Sequence, residues 1–344
     1  MRRFASLVSL TLLPLALTGC PSENPSPFGS GGTTDSGGVQ GSLTAPDGQL
    51  AISGAEVRVF ADEDEDGVAD SDAVLASTTT DIDGTWAFEE LESGTYVAVA
   101  TRGHHTHTFA FGFLPGNRAT IPEESLPGDE VAIVQITGSC DSPSSVYEAM
   151  GFDVESLANT GSEWRDLLTN ANDIDSVEVL LIPCGLPDDW VPQAPTVNSV
   201  VGGWLADGGA LYVSGNSWPI LEAIDPDIID FLRDDTDFDA PQVGFGATLT
   251  ASILDTDLAA HFSGDTASIR LPDEWTVMAG VGDDARVLLN ANAQTIDFES
   301  VQGAPLLVTS EPDSRGPITY SSFGKTGESN ADMERALQQV LLSL

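Results

Sequence analysis

Two stretches of this 344-residue chain carry residue types able to do chemistry. In "GGALYVSGNSWP", Gly208–Pro219, an apolar strand at Ala210–Val213 runs into a tight polar turn, Ser214-Gly215-Asn216, and then toward a helix. A sharp strand-to-helix turn is where many α/β hydrolytic enzymes present a nucleophile, so Ser214 is the first residue to weigh. A serine hydroxyl needs a positioned base to attack near neutral pH. The only histidine beyond residue 107 is His261, in the helical stretch "DTDLAAHFSG", well removed in sequence. Tyr212 also occupies the first position of what would be a Gly-x-Ser-x-Gly frame. No catalytic residue is expected here.

The second stretch is "DEDEDGVAD", Asp62–Asp70. Alternating carboxylates at Asp62, Asp64 and Asp66, then Gly67 and Asp70, match positions 1, 3, 5, 6 and 9 of a calcium loop. Val68 would add its carbonyl. The bidentate acid of position 12 is replaced by Ala73, with Asp72 as the nearest substitute. The expectation is a structural Ca2+ site of modest affinity, held by Asp62, Asp64, Asp66, Val68, Asp70 and Asp72. The plain alternative is a solvated acidic loop.

Three of the four histidines fall in "RGHHTHTF". On a strand His105 and His107 share one face and His104 points away, so the three cannot converge on a transition metal. Exposed strand-end histidines are expected.

The chain has 12 Lys+Arg against 54 Asp+Glu, a formal charge of −42 with Lys325 as its one lysine. Such a surface repels phosphate backbones, which excludes nucleic acid as a partner. Residues 1–19 place Arg2 and Arg3 before an apolar run, Phe4–Leu17, too short to span a bilayer and laid out as an export signal. "Leu17-Thr18-Gly19-Cys20" resembles the bacterial lipobox, which implies lipidation of Cys20 and a membrane as partner through the acyl chains. Residues 20–38, rich in Pro, Ser, Gly and Thr, read as a flexible tether. The expected location is the cell envelope, at the outer-membrane surface or the periplasmic face.

Residues 39–114 carry short alternating strands between Gly, Asp and Pro turns, the pattern of an antiparallel β-sandwich. The turn Thr80-Asp81-Ile82-Asp83-Gly84 before an aromatic strand, and Gly94-Thr95-Tyr96 opening the next, resemble the carboxypeptidase regulatory-like (transthyretin-type, Ig-like) sandwich and the repeat B domains of bacterial adhesins. The resemblance implies a stalk or adhesion module.

After a linker at 115–127, continuous apolar strands alternate with helices over 128–344, which predicts a largely parallel sheet covered on both faces. One helix aligns Val197, Val200, Val201, Trp204 and Leu205. Another begins near Asn330 and aligns Met333, Leu337, Val340, Leu341 and Leu344. "VEVLLIPCG", "VGGWLADGGALYVSGNS" and "GPITYSSFG" resemble the class I glutamine amidotransferase-like superfamily, implying an α/β flavodoxin-like domain. Such enzymes carry a cysteine at the elbow and a histidine beyond a late strand. Ser214 or Gly215 stands at the first position here, and Gly324 near the second. In the implied 2-1-3-4-5 sheet the strands before Cys140 and Cys184 are neighbours, so with export a Cys140–Cys184 disulfide is expected.

Any retained ligand is expected over the carboxyl ends of the strands, against Ser139, Gly185, Ser214, Asn216 and Ser322. Trp86 and Trp204 are expected in the core. Trp164, Trp190, Trp218 and Trp275 fall at helix starts or loops, where one could stack on a sugar. The reading is a multidomain envelope lipoprotein with a binding or structural role toward an unidentified protein or carbohydrate. The competing readings are a secreted hydrolase using Ser214 or an unbridged Cys184, and a carbohydrate-binding surface protein.

Overall fold

The computed structural model describes residues 37–114, 119–185, 194–233 and 241–344. Cys20, the leader, the tether as far as Ser36, and Trp190 lie outside them. Among the described residues no helix is long and apolar enough to cross a membrane.

The N-terminal region is built of β1 (Gly37–Thr44), β2 (Glu56–Ala61), β3 (Ala76–Thr79), β4 (Thr85–Leu91), β5 (Gly94–Arg102), β6 (His105–Phe113), β7 (Ala119–Thr120) and β8 (Glu124–Ser125). One sheet runs β4-β1-β7, with β8 also on β1, and the other runs β3-β2-β5-β6. Period-2 alternation sends Val57 and Val59, Trp86 and Phe88, and Phe109 and Phe111 inward, where all are buried. Trp86 joins the two sheets, its ring centroid 5.8 Å from Phe109 and 6.3 Å from Phe111. The expected linker is partly structural: Ile121 N donates to Gln40 O and Leu126 N to Thr44 O, which ties that segment onto β1.

The C-terminal region has β9 (Ile133–Ile136), α1 (Ser144–Ala149), β10 (Val154–Leu157), α2 (Glu163–Thr169), α3 (Ala171–Ile174), β11 (Val179–Ile182), α4 (Ala194–Ala206), β12 (Ala210–Ser214) and α5 (Pro219–Ile224). Short strands β13 (Ile229–Phe231) and β14 (Val243–Gly244) follow, then β15 (Ala247–Ile253), α6 (Thr256–Ala260) and β16 (Thr266–Leu271). The chain ends through β17 (Trp275–Thr276), β18 (Met278–Val281), β19 (Ala285–Gln294), β20 (Ser300–Ser310), β21 (Ile318–Ser321) and α7 (Ala331–Leu342). The main sheet has nine strands in the order β10-β9-β11-β12-β21-β20-β19-β15-β16, while β13 pairs with β18 and β14 with β17.

Half of that sheet agrees with the expectation and half corrects it. From β10 to β21 the pairing is parallel, and Val179–Ile182 is buried along its whole length, as a strand covered on both faces must be. From β21 to β16 every pairing is antiparallel. The period-2 burial of "TASIRL" in β16 is that of a strand with one face toward solvent. The whole is a multidomain mixed α/β architecture of several sheets.

The helices follow their patterns. Asn330 caps α7, its side chain accepting from Asp332 N and Met333 N at 3.0 Å each. Met333, Leu337, Val340, Leu341 and Leu344 are all buried. In α4, Val197, Val201, Trp204 and Leu205 are buried, and Val200 is half-buried.

One apolar core runs from the small sheets into the α/β region. His104 N donates to Leu344 O at 2.7 Å, and His105 packs between Tyr147 and Phe152. This corrects the histidine expectation: His105 is fully buried, because β6 lays its first turn-proximal side chain against α1 instead of solvent. His104 and His107 are half-buried, and His107 Nε2 lies 3.0 Å from Glu124 Oε2. Trp164 and Trp275 also prove to be core residues, at 0% and 2% exposure, so neither is a sugar platform.

Candidate functional site

The carboxyl ends of β9, β11 and β12 meet at the turn that follows Ser214. Ser214 has extended backbone, φ −135° and ψ 153°, and the left-handed residue is Gly215 at φ +52°. The turn therefore resembles a nucleophile elbow with glycine at the strained position. A Cβ placed on Gly215 would lie 2.8 Å from Cys184 Cβ and 3.2 Å from its Sγ. The space a nucleophilic side chain would fill is taken by Cys184.

Cys184 is held there by a disulfide to Cys140, with Cα atoms 5.4 Å apart across a separation of 44 residues. The pair forms where two neighbouring parallel strands end on the same side, as expected from their order in the sheet. Closing that loop is worth about 4 kcal/mol in the chain-entropy account.

The Ser214 side chain turns away from the turn and into the protein, where it is fully buried. Its hydroxyl donates to Asp141 Oδ2 at 2.7 Å and accepts from Cys184 N at 3.1 Å. Asp141 Oδ1 accepts a second bond from Cys184 N at 2.8 Å. Burial pushes the Asp141 carboxyl up to about 6, against the two hydrogen bonds that favour its charge. Tyr212 lies below, its hydroxyl beside Ser321 and Ser214 and raised well above its ordinary value by burial.

Asp141 also packs against Gly324. A Cβ on Gly324 would stand 1.7 Å from Asp141 Oδ2, so no side chain fits there while the carboxylate is in place. Asp141 had no signal in the sequence beyond its place next to Cys140. The chain crossing from β9 to α1 brings it under the elbow.

The five residues expected to line a ligand site do not form an open polar basin. Ser214 and Ser322 are buried, and the Ser322 hydroxyl donates to Thr276 O. Asn216 is exposed and its Oδ1 accepts from Thr276 Oγ1 at 3.1 Å. Ser139 stands against Gly185, where an added Cβ would meet Ser139 Oγ at 2.0 Å. A hollow of about 70 Å³ remains beside the disulfide, under Phe323 and Met333. That is well below the roughly 300 Å³ at which small-molecule pockets begin.

The acidic loop gathers part of the expected set. Ligand atoms of Asp62, Asp64 and Asp70 lie within 4.8 Å of one another, with Asp62 buried and the other two exposed. Asp62 also receives Asp66 N at 3.1 Å and Gly67 N at 3.2 Å, which folds the loop around it. Asp66 is turned back instead to accept from Val68 N at 2.9 Å, and Asp72 is exposed outside the cluster. The three clustered carboxylates could coordinate a metal ion. The crowding of the whole acidic loop shows at Asp64, whose carboxyl is raised first by the charge of Asp66 and then, among the clustered acids, by Asp70 and Asp62.

Neither a protein-family model nor a characterised protein sequence matches the chain. Solved structures resemble parts of it at low identity. PurLQS from Thermotoga maritima is 13% identical over 61% of this chain and 97% of that one, with a TM-score of 0.39. A cytoplasmic protein from Salmonella typhimurium is 11% identical over 73% and 94%, with a TM-score of 0.41. The major pilin subunit of Bacillus cereus is 12% identical over 26% and 29%, with a TM-score of 0.20. None of these scores is high enough to speak to function.

Proposed function

We propose that this chain is a lipid-anchored envelope lipoprotein whose α/β region keeps the shape of an amidotransferase-like elbow without its chemistry, and whose role is binding or surface architecture. The observation that carries this reading is the double occupation of the elbow. Both positions that would hold nucleophile and base are glycines, and their side-chain space is filled by Cys184 and Asp141. Ser214 is spent on a hydrogen bond to a carboxylate that no histidine accompanies among the described residues. The anchor is Cys20, the tether follows it, and the small sheets form a transthyretin-type sandwich steadied by Ca2+ at Asp62, Asp64 and Asp70.

The test is intact mass spectrometry of the chain extracted from membranes, with and without reductant, after exposure to a fluorophosphonate and to a thiol probe. A mass increment of a diacylglyceryl group mapped to Cys20, with no fluorophosphonate adduct and thiol labelling only after reduction, supports the reading. An adduct on Ser214, or on Cys184 without reductant, replaces it with the hydrolase. An unmodified Cys20 removes the anchor.

A further inference from the structure

Arg102 stands apart in a chain with 12 basic and 54 acidic side chains. Arg286, nearby, is held by Asp255 and Glu311. Arg102 makes no ion pair among the described residues. One Nη donates to Gly54 O at 3.3 Å, and its buried Nε has no partner. The guanidinium faces a cleft of about 470 Å³ between the small sheets and the α/β region, lined also by Ser53, Asp255, Asp257, His261, Glu311 and Gln339, and it feels the charges of Asp257, Glu311 and Asp255 without a direct ion pair to any of them.

A second polar group stands in that cleft. Gln339, on α7, is only 6% exposed and lines the cleft. His261 closes one end, its Nε2 2.8 Å from Ser53 Oγ, which ties α6 to the small sheets. Burial, then the charge of Arg102, lowers its basicity, so it faces the cleft as a neutral ring at pH 7.

We propose that this cleft binds a zwitterionic carboxylate, a free amino acid or short peptide, with its carboxylate on Arg102 and the Gln339 amide and its ammonium toward Asp257. An unpaired, partly desolvated guanidinium is the donor a carboxylate matches best. A simple anion would meet both the chain's charge of −42 and the carboxylate of Asp257, so the ligand brings its own cation. The volume is in the range of small-molecule pockets and admits a peptide of two or three residues. The site depends on neither the lipid anchor nor the elbow, so its failure and theirs are separate results.

The experiment is calorimetric titration of the full chain with trialanine, N-acetyl-trialanine and trialanine amide. Trialanine is expected to bind, with each capped form weaker by about tenfold or more. Arg102→Met and Gln339→Leu should each weaken trialanine by a similar factor, with unchanged near-ultraviolet circular dichroism certifying the fold. Asp257→Asn, on an exposed side chain, should weaken trialanine and leave N-acetyl-trialanine unaffected. Equal binding of all three peptides, no heat at millimolar trialanine, or full affinity in folded Arg102→Met would overturn the proposal.

Discussion

The rings of His105 and Phe152 lie 4.4 Å apart, centroid to centroid, and neither nitrogen of the imidazole has a hydrogen-bond partner among the described residues. The contact joins β6 of the small sheets to the segment after α1, so the seam between the two regions is closed around a buried base. Burial pushes this imidazole down to about 4, with the neighbouring His104 adding to the effect.

Acidification should therefore loosen the seam. The folded value lies below the unfolded 6.5, so the unfolded chain binds the proton first and stability falls as pH drops from about 6.5 toward 4. The loss is on the order of 3 kcal/mol at 1.36 kcal/mol per unit. Urea unfolding between pH 7 and pH 4 should show it once the opposing Asp141 carboxylate is removed by Asp141→Asn, and adding His105→Leu should abolish it.

Asp141 has the opposite sign in an overlapping window. Its folded carboxyl titrates near 6 against 3.8 unfolded, so its contribution is full below 3.8 and is lost as pH rises through about 6. At neutral pH the cost reaches up to about 3 kcal/mol, less to the extent that water reaches this half-buried residue. Asp141→Asn should be stabilising at pH 7.5, and the gain should vanish by pH 4. Unfolding curves of the single and double variants with His105→Leu would separate the two groups.

Side chains should not be tolerated at the elbow. Gly215→Ala combines a left-handed backbone, a cost of about 1–2 kcal/mol, with a 2.8 Å contact to Cys184. Gly324→Ala drives a methyl group into the Asp141 carboxylate, and overpacking of this kind costs about 1–3 kcal/mol or more. Thermal midpoints should drop for both, and the paired variant Gly324→Ala with Asp141→Gly, which removes the Cβ at 2.5 Å as well as the carboxylate, should recover part of the loss.

Reduction of the disulfide should cost about 4 kcal/mol of stability if the unfolded chain gains the full loop entropy. Denaturant midpoints with and without reductant measure this directly. Cys140→Ser should behave as the reduced protein does.

Calcium should raise the thermal midpoint, since an ion bound by the folded loop stabilises it by mass action. Asp62→Asn or Asp70→Asn should abolish that shift, whereas Asp66→Asn should leave most of it, because Asp66 lies outside the three-carboxylate cluster. Terbium luminescence excited through the protein gives an independent reading of the same loop.

Much of this molecule was written locally. The strands of the small sheets and the α4 and α7 helices follow from periodicity and capping residues, which depend on near neighbours, whereas the pairing of Cys140 with Cys184 was expected only through the strand order that the amidotransferase-like resemblance implies. The acidic loop was legible for the same reason, since its spacing sets which carboxylates a single turn can gather. What escaped was whatever depends on long-range approach. Period-2 patterns in β15 and β16 do not announce which edge they will join, so the antiparallel half of the main sheet was unseen. His105 reads as a surface residue until α1 arrives to cover it. The residue types at Ser214, Gly215 and Gly324 are read directly from the sequence. Only the tertiary structure decided what packs against them, because the Asp141 carboxylate and the Cys140–Cys184 disulfide come from distant strand ends that approach this turn solely when the sheet brings those ends together.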